Sequence, residues 1–142
     1  MNEVLHFRLG GEGFGLPVAF VREILGLLPI LRVPEAPAAI LGVANVRGEA
    51  VPILDLRAIL GMEPGAAGPQ AGLMVVRASV DGEPRLLGIL ADSVEEVVSA
   101  EPDKVGPPPK LNGPRKDYVT GVLHAPFLMI LDPDRLELAF SA

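Results

Sequence analysis

A pattern of eleven residues is laid down twice along this chain. Gly15-Leu-Pro-Val-Ala-Phe-Val21-Arg-Glu23-Ile24-Leu25 aligns without a gap on Gly88-Ile-Leu-Ala-Asp-Ser-Val94-Glu-Glu96-Val97-Val98, 73 positions further on in a chain of 142. Downstream, Gly42-Val43 through Ile53-Leu54-Asp55 is matched by Gly121-Val122 through Ile130-Leu131-Asp132, the second copy two residues shorter. Two matches in the same order, separated by about half the chain, predict two similar lobes of about 70 residues each.

The lobes are predicted to be β-structured. Sixteen glycines and fifteen prolines punctuate the chain every few residues, and short Val, Ile and Leu runs lie between them, as in barrels and sandwiches with tight turns. Glu3–Leu9 alternates Leu5, Phe7 and Leu9 against Val4, His6 and Arg8, which reads as a strand. Gly10 to Gly15 then turns it into Leu16–Phe20 as a hairpin. Leu27–Leu31 and Ala125–Leu131 read as short buried strands. No apolar run reaches the roughly 18 residues of a membrane helix, and no basic leader precedes an apolar stretch at the N-terminus. The expectation is a cytoplasmic protein without direct membrane insertion.

Three carboxylates have local explanations. Asp55 precedes Leu56-Arg57-Ala58-Ile59-Leu60 with Gly61 behind, the pattern of a capped short helix. Asp132 precedes Pro133, an acidic cap before proline at the first helical position. Asp92 stands three residues before Glu95, the spacing of a capping box. Glu63–Gly72 reads as a link between the halves or as a loop at the edge of one barrel. Pro102–Pro114, with Pro107-Pro108-Pro109, reads as an extended polyproline strap.

Residues for chemistry are sparse. The chain has no cysteine, so thiolate nucleophiles, disulfides and thiolate metal sites drop out. Its two histidines, His6 and His124, stand in no metal-ligand spacing, and there is no nucleophile elbow or phosphate loop. Neither an enzyme nor a metal or other cofactor is expected. With net charge −6, scattered cations and aromatics at 4%, a nucleic-acid surface is not expected either. Protein–protein contact is the function left for the apolar surface.

The residues Ile40-Leu-Gly42-Val-Ala-Asn45-Val-Arg47-Gly48-Glu-Ala-Val-Pro52-Ile-Leu-Asp55-Leu56-Arg57 closely resemble the core motif of CheW-like domains: Gly-hydrophobic-x-Asn-x-Arg-Gly, an apolar strand with proline, then Asp-Leu-Arg. Phe14-Gly15-Leu16-Pro17 through Ile24, Gly88 through Val97, Pro107-Pro108-Pro109, Tyr118 through Val122 and Met129 through Asp132 follow the family's other blocks in order. Ala44 and Val46 around Asn45, and His124-Ala-Pro-Phe, depart from it.

The resemblance implies a mainly β fold, two pseudo-duplicated five-stranded SH3-like barrels with short helices, in a single domain over residues 1–142 whose lobes can interleave at the termini. It implies a non-catalytic adaptor that joins the cytoplasmic tip of a chemoreceptor to the regulatory domain of a CheA-type histidine kinase and is recruited to membrane receptor arrays through those partners. By position, the receptor groove would comprise Val21, Glu23, Ile24, Gly42, Arg47, Val94 and Val97, with Asn45, Gly48, Asp55 and Arg57 as motif or structural residues. For the valines and isoleucine a place in the core is an equal alternative, and for Glu23 a solvated turn position is the alternative. For Asn45-Val46-Arg47-Gly48 the alternative is a turn in which Asn45 and Gly48 supply positive φ and Arg47 ties the lobes together. Two other functions stay open: a scaffold for gliding, pilus or developmental signalling, and a small-molecule-binding or catalytic β-barrel.

Overall fold

The computed structural model describes residues 2–140. Eleven strands form two sheets: β1 (Glu3–Leu9), β2 (Glu12–Pro17), β3 (Val21–Gly26), β4 (Ile40–Val46), β5 (Glu49–Leu54), β6 (Gly72–Val80), β7 (Glu83–Ala91), β8 (Ser93–Ser99), β9 (Val105–Gly106), β10 (Val119–His124) and β11 (Phe127–Leu131). The first sheet has the order β8-β1-β2-β11-β10-β9 and the second β3-β6-β7-β5-β4. One four-residue helix, α1 (Leu56–Ile59), follows β5, and short 3-10 turns supply the remaining helical structure. No described helix is long and apolar enough to cross a membrane.

The repeat seen in the sequence is the repeat of the fold. In the first sheet β11 runs parallel to β2 with Ile130 opposite Gly15; in the second β5 runs parallel to β7 with Ile53 opposite Gly88. Each repeat unit nevertheless begins in one sheet and ends in the other. β2 belongs to the first sheet and β3 to β5 to the second, while β7 belongs to the second and β8, β10 and β11 to the first. The N-terminal hairpin is therefore completed by strands from the other end of the chain.

Glycine is required where strands of one sheet press together. A Cβ on Gly88 would run into Ile53 Cδ1, and one on Gly15 would stand 2.9 Å from Leu128 Cδ1. Neither sheet closes on itself through strand pairing, so the expected five-stranded barrels are open, and one carries a sixth strand. That strand, β9, pairs only through Val105 and Gly106, because Pro107-Pro108-Pro109 behind it has no N–H to continue the ladder.

Alternation divides the apolar residues among three cores. Leu5, Phe7 and Leu9 of β1 and Met74, Val76 and Ala78 of β6 meet between the sheets, with Phe14, Leu16, Leu54, Leu87 and Ile89. The opposite face of β6 puts Leu73 and Val75 with Ala44, Val46, Val51 and Ile53 inside the second lobe. Val4 joins Leu123, Leu128 and Ile130 inside the first.

Two expectations change. Leu27–Leu31 is not a buried strand: Pro29 interrupts it, Leu27 and Leu31 are 56% and 74% exposed, and a single bridge from Leu31 to Val43 holds it to β4. Asp92 caps no helix, because the β-branched run Val94, Val97 and Val98 continues as strand β8 beside β1. Of the two readings of Glu63–Gly72, the loop within one lobe is the one found: it joins α1 to β6. Asp55 does cap α1, accepting the Ala58 N–H, and Asp132 accepts the Asp134 N–H in the corresponding position.

Candidate interaction surface

The hairpin β4–β5 turns on Arg47 and Gly48, with Val46 paired to Glu49 on either side. Their φ angles are 51° and 85°, the left-handed pair of a two-residue hairpin turn with the twist of the strands. Asn45 stays in the strand, and its Oδ1 accepts the Gly48 N–H at 2.8 Å. The positive φ thus falls on Arg47, not on Asn45. A residue with a Cβ in this region costs about 1 kcal/mol relative to glycine, so Arg47 occupies a position where its backbone is disfavoured.

The Arg47 side chain reaches Glu23 on β3. Its Nε lies 3.1 and 3.2 Å from the two carboxylate oxygens, and its terminal nitrogen 3.0 Å from Oε1. The fork matches the planar carboxylate, holding the Glu23 carboxyl below its ordinary range and raising the guanidinium above its own. β3 and β4 are the two edges of the second sheet, so this pair spans the unclosed seam of that lobe. Arg22 and Glu49, 4.0 Å apart, span it again. Arg47 therefore ties two edges of one lobe and not one lobe to the other.

The four apolar candidates fall into two pairs related by the repeat. Val21 and Val94 are half-buried and pack against the core between the sheets. Val94 leans over Gly72 of β6, where an added Cβ would meet its γ-methyl at 2.8 Å. Ile24 and Val97 stand outside, 48% and 49% exposed. Both strands carry an irregularity in this region, between Val21 and Glu23 in β3 and opposite Leu5 to Phe7 in β8, which re-aims side chains on an edge. Gly42 is buried beneath the chain itself: a Cβ there would run into the Leu31 carbonyl, whose residue exchanges 2.8 Å hydrogen bonds with Val43 in both directions.

Arg57 and Asp55 lie on the far side of β5. Arg57 donates to Asp92 Oδ2 at 2.7 Å, and the same oxygen accepts the Gly10 N–H at 2.9 Å. One carboxylate thus joins the tip of the β1–β2 hairpin to the helix after β5, fastening the lobes together. Spacing alone could not disclose this joint, because its three members are far apart in sequence.

The sequence also gave no sign of an apolar strip beside the hairpin, formed by exposed Leu27, Leu31 and Val33. Isolated exposed apolar residues are ordinary; these three fall within seven residues of one irregular segment. The histidines do not converge. His6 is buried within the first lobe, its Nδ1 3.7 Å from Glu96, while His124 is exposed at the end of β10 beside Phe127. Among the described residues no group of three or more His, Cys, Asp or Glu is placed to hold a metal.

Comparison with known proteins accords with this architecture. The CheW-like domain matches residues 3–138. A probable chemotaxis protein CheW of Rhizobium etli is 34% identical over 123 residues, covering 86% of this chain and 77% of that protein. Protein FrzA of Myxococcus xanthus is 31% identical over 124 residues, covering 87% and 75%. The crystal structure of the scaffolding protein TtCheW from Thermoanaerobacter tengcongensis superposes with a TM-score of 0.84 over 99% of this chain and 93% of that one; at 24% identity, the likeness is one of fold. With the Asn45-Val-Arg47-Gly48 hairpin, the paired Gly15 and Gly88 strands and a domain match from end to end, the chain belongs to the CheW-like family.

Proposed function

We propose that the chain is a non-catalytic adaptor that couples a chemoreceptor to the regulatory domain of a CheA-type histidine kinase, acting in the cytoplasm at receptor arrays. The observation that carries this reading is the matched pair Ile24 and Val97. They are equivalent in the repeat, each stands on a sheet edge, and each leaves about half its surface in water. Core residues would not be exposed equally in both copies, whereas the walls of a groove that grips an apolar helical hairpin would be. Val21 and Val94 form its half-buried floor. Arg47 supplies a cationic fork at its margin and keeps a disfavoured backbone to do so. An adaptor needs a second surface, and the strip Leu27, Leu31 and Val33 is assigned to the kinase. The relatives named chemotaxis protein CheW support the pathway.

The test is titration of the intact chain with a receptor cytoplasmic fragment and, separately, with a CheA regulatory domain, at concentrations up to about 100 μM, the range of weak modular contacts. Both complexes are expected. Ile24→Asp and Val97→Asp should each weaken receptor binding at least about tenfold, the loss of one apolar anchor, with little change in melting temperature. Absence of a complex with either partner refutes the proposal. The match to FrzA favours a second reading, a sister signalling pathway served by the same fold. Preference for the kinase of such a pathway over a chemotaxis kinase would establish it.

A further inference from the structure

A second cleft shares no residue with the proposed receptor groove. It lies on the outer end of the second lobe, between β5, the β6–β7 hairpin and the C-terminal turn, and measures about 660 Å³. Val80, Leu86 and Phe140 contribute to its apolar wall. Arg22, Arg77 and Arg85 line it from three strands, with Glu49 as the opposing charge. Arg22 stands 4.0 Å from Glu49, and Arg85 donates to Glu83 at 3.1 Å in a pair exposed to water. Arg77 takes part in none of the ion pairs among the described residues, although it is exposed on a chain of net charge −6.

The duplicated fold provides an internal control. His6 pairs with Gly15 in the first sheet as Val75 pairs with Gly88 in the second, so the two hairpins correspond residue by residue. Arg77 then corresponds to Arg8, Arg85 to Glu12 and Arg22 to Glu95. Two of the three cations in the second lobe are carboxylates at the same places in the first. The architecture therefore does not require cations here; the second lobe places them around an apolar cleft.

We propose that the cleft bounded by Arg22, Arg77, Arg85 and Phe140 docks an acidic linear peptide segment carrying an apolar anchor. The cleft is lined from β3, β5, β6, β7 and the C-terminal residues and is not an enclosed cavity, which suits a segment of chain better than a small molecule that must be mostly surrounded. Arginine forks favour carboxylates on the segment, and Leu86 with Phe140 accepts the anchor between them. With Glu49 beside Arg22 and Glu83 beside Arg85, three cations against two carboxylates leave one net positive charge, carried by Arg77, to attract an acidic segment.

The test uses the intact chain and a fluorescein-labelled peptide in which glutamate alternates with leucine, with a lysine–leucine peptide as control. Anisotropy is expected to show saturable binding of the glutamate peptide alone, weakening as salt rises. Arg77→Glu with Arg85→Glu should reduce affinity at least about tenfold, two interfacial charge contacts being lost and reversed. Arg8→Glu, the corresponding change in the first lobe, should leave it within about twofold. Should the double reversal disturb the thermal transition, Arg77→Gln with Arg85→Gln serves in its place. Equal binding by wild type and double variant, or no binding by wild type, overturns the proposal. So does self-association of the free chain, seen by sedimentation and abolished by the double variant, because the occupant is then a second copy.

Discussion

Gly88 offers a quantitative test of how the two repeat units are locked. Its backbone is extended, so alanine carries no conformational penalty and restricts the unfolded chain, worth about 0.5 kcal/mol in favour of the variant. Against this, the new methyl points at Ile53 Cδ1 well inside the ~3.5 Å at which carbon atoms attract, with Leu73 Cδ1 at 3.3 Å behind it. Both neighbours are fully buried and have little room to retreat. Overpacking of this kind costs about 1–3 kcal/mol, so Gly88→Ala should lose about 2 kcal/mol net. Ile53→Val removes the atom in the way and costs about 1 kcal/mol alone. If the clash is with that atom, the double variant should lose no more than about 1 kcal/mol, instead of the roughly 3 expected from independent sites. Urea unfolding of the four proteins, followed by far-UV circular dichroism, gives the coupling directly. Additive losses would refute the contact as the reason for glycine at this position.

Removal of the Asp92 carboxylate by Asp92→Ala should cost about 2 kcal/mol, since it leaves Arg57, only 16% exposed, without its charged acceptor, and the loss should shrink in an Arg57→Met background; equal losses in both would dissolve the joint. Glu12 receives two 2.7 Å hydrogen bonds from Arg115, which hold its carboxyl below the ordinary range. Its contribution is complete above the unfolded carboxylate value of about 4.3 and is lost as pH falls through the folded one, so Glu12→Gln should cost about 1 kcal/mol at pH 7 and progressively less in acid; parallel stability curves from pH 3 to 7 would contradict this. Gly42→Ala should push the Leu31 segment off β4, raising amide exchange at Leu31 by more than about tenfold through loss of the bond to Val43; unchanged protection would show that the bridge tolerates the methyl.

The duplicated plan was legible because glycine at a close strand crossing and aspartate at a cap are imposed by local geometry, and local geometry leaves a local trace. The crossing of each unit from one sheet to the other left none. It is fixed by pairings such as Phe7 with Val94, far apart along the chain. Leu27–Leu31 has the composition of a core strand, and composition says nothing about whether a partner strand is available to cover it. At the Arg47 turn the dipeptide at the tip depends on register: Val46 opposite Glu49 leaves Arg47 and Gly48 at the centre, whereas the Asn-x-x-Gly spacing had suggested Asn45. Arg47 as a paired residue was invisible for the same reason as Arg57, since its acceptor lies on a strand read separately. Of the proposed groove, the sequence could name Ile24 and Val97 but could not distinguish them from half-buried Val21 and Val94.

The exchange of strands between units also orders events in time. The second sheet needs only residues 21 to 91, a continuous stretch that can pair as soon as it leaves the ribosome. The first sheet needs β1 and β2 from the start of the chain; β1 gains β8 once residues 93–99 emerge, but the β2 edge waits for β11, close to the chain's end. Closing that long loop is entropically slow, and a hairpin edge left open is a template for association with another chain. Truncation after β8 would therefore leave an intact second lobe beside an uncapped β2 edge, a species prone to aggregation more than to unfolding.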